Sequence, residues 1–171
     1  MSKTVAITVL AISLAACVTD VRSRRIPNAL TFSAAIAALI YQSASAGWLG
    51  AQSSVTGWLV GTALFLPFFL LGGMGAGDVK LLAALGAWLG PRETVHLGVY
   101  TLIAGGALGL VVALMRGYLK TAVRNVWNLV QQWCLTGIRP VPSLTLEHAT
   151  GPRLAYALPI FAGTAVTLWL H

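Results

Sequence analysis

The stretch GGMGAGDVKLLAALGAWLG, Gly72 to Gly90, joins two apolar runs through glycines at 72, 73, 75 and 77 and places an aspartate, Asp78, where the second run starts. Apolar sequence on both sides puts that carboxylate near membrane depth, where an ionisable group costs roughly 3 kcal/mol or more on insertion scales. A charge kept in such a place is a candidate for function.

Working outward, hydrophobic residues make up 57% of the 171 and charged residues 9%. The mean hydropathy is +0.81, which excludes an ordinary soluble domain. At about 20 apolar residues per crossing, the chain has room for about six transmembrane helices in one all-α integral membrane domain. Its net charge of +7 is read as basic loops held on one side of the bilayer, with the lipid as partner and no nucleic acid. Cys17 and Cys134 form no CxxC pair, so neither a zinc site nor a disulfide framework is indicated.

The first apolar segment, Thr4 to Thr19, is followed by Asp20 and by Arg22, Arg24 and Arg25. Leu14-Ala15-Ala16-Cys17 has the form of a lipoprotein cleavage box. The arginines behind it argue instead for a membrane helix whose C-terminal end stays in the cytoplasm. Ile26-Pro27-Asn28 breaks the backbone, because proline cannot continue a helix from the preceding turn. A second helix is expected over Ala29 to Ala46, an outer loop over Gly47 to Ser54, and a third crossing from Val55 to Leu71, with a GxxxG spacing at Gly57 and Gly61.

The fourth segment, Val79 to Leu89, rises only about 16 Å and is too short to span alone. Either the glycine loop enters the membrane, or the helix continues past Pro91 through Glu93 and His96. Leu97 to Met115 reads as the fifth crossing, with small residues at Gly105 and Gly109. From Arg116 to Cys134 the apolar residues Leu119, Val123, Val126, Trp127, Val130 and Trp133 share one helical face and Lys120, Arg124 and Asn128 the other. That pattern is an interfacial amphipathic helix. With the loop from Leu135 to Arg153 it makes a cytoplasmic segment, 116–153, before a last crossing at Leu154 to Leu170.

An outside N-terminus puts nine basic residues inside, among them Lys80, Arg139 and Arg153, and leaves Lys3 and Arg92 outside. Asp20 and Asp78 then both face the cytoplasm. Asp78 also suits a helix N-cap. Asp20 sits near a helix C-terminus, where an acid is unfavourable unless Arg24 or Arg25 neutralises it. Two carboxyl groups a few ångströms apart cannot both ionise cheaply, so a pair shares one proton. Such a pair suits peptide hydrolysis, one acid drawing a proton from water and the other polarising the scissile carbonyl. Helix dipoles assign the ionised form to Asp78 and the protonated form to Asp20. Residues 74 to 77, rich in glycine, would offer an extended edge on which a substrate backbone could pair.

Gly75-Ala76-Gly77-Asp78 with Lys80-Leu81-Leu82-Ala83 resembles the GxGD motif of the type IV prepilin peptidases. Asp20 with Arg24-Arg25-Ile26-Pro27-Asn28 resembles that family's other aspartate region, and Ala155-Tyr156-Ala157-Leu158-Pro159-Ile160 followed by Gly163 is similar to its last helix. The resemblance implies an integral aspartyl protease of bacterial inner membranes that cuts the short basic leader from pilin-like precursors at the cytoplasmic face. It implies Asp20 and Asp78 as the catalytic pair, with Gly75, Gly77, Lys80, Arg25, Pro27 and Asn28 supporting the motif or the substrate, and no metal or cofactor. The short link between Asp20 and the second helix, with no CxxC, looks like the short branch serving Flp, or tight-adherence, pili. It argues against N-methyltransferase activity and points to pilus assembly machinery as a further partner. Two other classes fit buried aspartates: a small transporter that relays protons, and a non-catalytic assembly subunit.

Overall fold

The computed structural model describes residues 2–137 and 155–170, and those residues form six α-helices. Three of the helices, α1 (Lys3–Ser23), α2 (Asn28–Leu70) and α4 (Pro91–Met115), are long and apolar enough to cross a membrane. Between and after them come α3 (Ala76–Leu89), α5 (Leu119–Thr136) and α6 (Ala157–Leu170). The expected cytoplasmic loop and the start of the last crossing at Leu154 lie largely outside the described residues.

Helix α1 opens on Ser2, whose hydroxyl accepts the Val5 N–H, and closes on Arg24, whose left-handed backbone donates to the Asp20 carbonyl. Its buried residues, Val5, Val9, Ser13, Ala16 and Asp20, recur every three or four positions and form one stripe. Asp20 therefore ends the inward face of an otherwise apolar helix.

Helix α2 corrects the expected loop at Gly47 to Ser54. Only Ala46 and Gly47 leave helical geometry, and 48–54 belongs to a second helical arm. Gly47 takes φ +60 and ψ −138, a region that only glycine enters readily, and the chain reverses there. Gly50 passes so close to the Gln42 carbonyl that no Cβ fits. The arms, 28–45 and 48–70, would be about 27 and 35 Å long, near the thickness of a hydrocarbon core.

Helix α3 lies between these arms and is buried on every side from Leu81 to Trp88. Its backbone at Leu82–Ala83 and Gly86 meets Gly61 and Gly57 of the second arm, so the GxxxG spacing does bring backbones together. The Trp88 indole donates to the Ala34 carbonyl of the first arm at 2.9 Å, and Gln42 Nε2 donates to the Trp88 carbonyl at 2.8 Å. The alternative of a helix that continues past Pro91 does not hold. Gly90, at φ +82, ends α3, and Pro91 occupies the first turn of a separate helix. Glu93 and His96 belong to the start of α4, where they pair at 3.3 Å.

Helix α6 packs on α4, with Gly163 against the Thr101 backbone, and on α1. Helix α5 has no buried residue among those described, and its apolar side stays open: Val123, Val126 and Trp127 are each about 60% exposed. An amphipathic helix whose apolar side is this exposed at Val123, Val126 and Trp127 fits a lipid interface.

Packing through small residues carries this bundle, because burying apolar surface gains little against lipid. Gly57→Ala sets a Cβ into the Gly86 carbonyl and is expected to destabilise by about 1–3 kcal/mol through overpacking. Gly106→Ala, which meets open space, is expected to be neutral. Thermal unfolding in detergent separates the two, and equal midpoints would refute the close approach of α2 and α3.

Candidate active site

Asp20 and Asp78 lie at the same end of the bundle, one in the last turn of α1 and the other in the first turn of α3. Both are buried, with 8% and 9% of their surface exposed, which no solvated surface carboxylate would be. They are near enough for their charges to act on one another.

Each carboxylate is held by backbone. Asp78 is the third residue of α3 rather than its cap, and its Oδ2 accepts the N–H of Gly75 at 3.3 Å. Gly75 has no side chain with which to return the bond, so only the carboxylate half of a capping box exists. Asp20 Oδ2 accepts the N–H of Ala157 at 3.3 Å. Ala157 opens α6, so the carboxyl group that ends α1 sits at the N-terminus of another helix. This removes the ground for assigning the proton by dipoles: both carboxylates now receive a backbone donor from the start of a helix.

The remaining predicted residues divide. Lys80 Nζ donates to Asn28 Oδ1 at 2.9 Å and stands 5.6 Å from the centre of the Phe32 ring. Gly77 faces Ile26, to which an added Cβ would come within 3.3 Å. The Ile26-Pro27-Asn28 turn and the glycine-aspartate stretch, about fifty positions apart, therefore pack on one another. The Pro27 carbonyl accepts the first N–H bonds of α2, from Leu30 at 3.1 Å and from Thr31. Arg25 is exposed, and its carbonyl accepts from Ser23 Oγ at 3.3 Å.

The extended edge expected at 74 to 77 is shorter than the sequence indicated. Helix α3 already includes Ala76 and Gly77, and Gly75 is the last extended residue before it. Met74 is buried and offers no free edge.

Tyr156 had no role assigned from sequence. It stands in the turn before α6, half-buried, its ring edge-on to Phe65 at 6.2 Å and its hydroxyl against Gly105. The sequence offered only a tyrosine inside an apolar motif, since its partners come from α2 and α4.

A cavity of about 90 Å³ opens between α2 and α3, lined by Thr31, Phe32, Trp58, Thr62, Val79, Lys80 and Ala83. The larger one, about 470 Å³, lies at the opposite end of the bundle, among Ser2, Tyr41, Gln42, Trp88 and Glu93. Among the described residues no three or more His, Cys, Asp or Glu side chains gather in a way that could hold a metal ion. What the arrangement offers is two carboxyl groups buried at one end of the bundle, each with a backbone donor.

Residues 7–114 match the model of the type IV leader peptidase family, a span that contains both aspartates. The prepilin leader peptidase/N-methyltransferase of Aeromonas hydrophila is 31% identical over 121 residues, covering 68% of this chain and 33% of that protein. The protein of the same name from Burkholderia pseudomallei strain 1026b is 36% identical over 110 residues, covering 59% of this chain and 34% of its own length. The chain thus spans about a third of the length of the curated relatives it matches, and no solved structure matches it. With its family model matched across more than half of its length, the chain belongs to the type IV leader peptidase family.

Proposed function

We propose that this chain is a prepilin leader peptidase in which Asp20 and Asp78 activate water against the peptide bond that follows a short basic leader. The observation that carries the proposal is the burial of two carboxylates at one end of the bundle, within reach of each other's charge. In this reading one aspartate is ionised and takes a proton from water while the water oxygen attacks the carbonyl carbon. The other, protonated, hydrogen-bonds the carbonyl oxygen as it gains negative charge. Collapse of the tetrahedral intermediate breaks the C–N bond, and the leaving amine receives the proton first drawn from water. The backbone donors from Gly75 and Ala157 hold each carboxyl group in place, so that little reorganisation accompanies the proton transfers.

The proposal takes the leader-peptidase part of the relatives' name and leaves N-methyl transfer aside. The short turn between α1 and α2, residues 24–27, supports the Flp-like class of precursor. The bias of nine basic residues to two supports an outside N-terminus, an active site facing the cytoplasm of a bacterial inner membrane, and α5 lying along the same headgroup layer. The two arms of α2, with α1, α3, α4 and α6, supply the six membrane segments of this reading. Gly77, Lys80, Pro27 and Asn28 act in it by fixing the first turn of α3 against the start of α2. Arg25, exposed beside them, would meet the substrate or the lipid headgroups.

Co-expression with Flp-like precursors and determination of the product N-terminus tests the activity. Asp20→Asn and Asp78→Asn are each expected to lower cleavage by about a thousandfold or more, with membrane insertion unchanged. Processing at the unmodified rate by either variant would overturn the assignment. Asn28→Ala, which removes the acceptor of Lys80 Nζ, is expected to slow cleavage by about three- to tenfold. Initial rates on the same precursor check this, and an unchanged rate would show that the Lys80–Asn28 bond does not support the site.

A further inference from the structure

We infer that Tyr156 is a positioning residue whose ring, lodged between Phe65 of α2 and Gly105 of α4, clamps the first turn of α6 so that the Ala157 N–H stays on Asp20. The kinetic side of this inference rests on the proposed peptidase activity.

Three contacts carry it. The Tyr156 ring stands edge-on to Phe65 at 6.2 Å, and Phe65 is wholly buried and braced by Phe68 at 6.3 Å. The hydroxyl fills the space where residue 105 has no side chain: a Cβ there would lie 2.6 Å from the Tyr156 oxygen and 3.0 Å from Cζ. The very next residue gives its N–H to Asp20 Oδ2, and Ala157 is itself fully buried.

The geometry explains why a clamp is needed. The first N–H groups of any helix lack intrahelical partners, and the donor at Ala157 is satisfied by a carboxylate 137 positions earlier in the chain. A single bond of 3.3 Å does not hold a helix end by itself. Phe65 and Gly105 fix the turn from two other helices, and through it the carboxylate. The same tyrosine stands within reach of the charge of Asp78. One turn of two residues thus bonds Asp20 through its backbone and sets a ring within range of the charge of Asp78.

Because the tight contact at Gly105 is with the phenol oxygen, the inference predicts suppression. Gly105→Ala is expected to lower kcat about tenfold with KM within about twofold, since substrate contacts are untouched while the carboxylate shifts. Tyr156→Phe, which keeps the ring, should lose about threefold, and Tyr156→Ala about a hundredfold. Combining Gly105→Ala with Tyr156→Phe should leave a loss of about threefold rather than the roughly thirtyfold of independent effects.

Hydrogen exchange across 155–163 in nanodiscs provides a readout independent of cleavage. Exchange should rise about tenfold in Gly105→Ala and in Tyr156→Ala and return toward the unmodified rate in the double variant. A double variant no better than Gly105→Ala in kcat, or an unchanged exchange rate in Tyr156→Ala, overturns the clamp. An unmodified protein that cleaves no precursor refutes the peptidase reading instead, and the exchange rates then decide the clamp alone.

Discussion

A fourteen-residue helix is too short to span a bilayer unaided, yet α3 is the most deeply buried element of this molecule, and the rest of the fold is arranged to hold it there. At about 21 Å it would leave both ends inside hydrocarbon with unsatisfied backbone groups. Protein supplies what lipid cannot. Gln42 donates to the Trp88 carbonyl at one end, and Gly90 returns its N–H to the Gly86 carbonyl. At the other end Asp78 takes the N–H of Gly75. The folded-back α2 makes this possible, because one helix hairpin presents Gly57 and Gly61 on one side of α3 and the carbonyl of Ala34 on the other.

That clasp delivers Asp78 to a fixed depth, and α1 brings Asp20 to the same end. The second carboxylate is anchored by a different route, through the start of α6, so three helices meet at the pair. Each acid gains a backbone donor and loses most of its water. An ordered first turn on α3 and an ordered first turn on α6 are therefore as much part of the proposed chemistry as the carboxylates themselves.

Much of this was legible in the sequence, and the failures have physical causes. Asp20 was marked by its place between the first apolar run and Arg22, Arg24 and Arg25, but its position on the inward stripe with Val5, Val9, Ser13 and Ala16 was not, because α1 is apolar on every side. Asp78 stood out because a charge follows a glycine run between apolar segments. The reversal in α2 was misjudged in length: Gln52, Ser53 and Ser54 look like loop residues, but they keep helical bonds, and one glycine at 47 accommodates the turn. The break between α3 and α4 was written as Gly90-Pro91, the pairing of a helix stop and a helix start. The dipole argument about the proton failed for a nonlocal reason, since nothing near Asp20 announces that Ala157 will donate to it. Tyr156 was hidden in the same way, because its role depends on Phe65 and Gly105.

The central claim is that Asp20 and Asp78 act as a pair on the tetrahedral form of a peptide bond. The most direct test is the affinity of the purified protein, in nanodiscs, for a leader peptide whose scissile bond is replaced by a hydroxyl-bearing isostere of that form. The account predicts that the isostere binds about a hundredfold or more tighter than the matching peptide with a reduced, hydroxyl-free bond. It also predicts that this advantage vanishes in both Asp20→Asn and Asp78→Asn. Equal affinity for the two peptides, or an advantage that survives loss of either carboxylate, would contradict it.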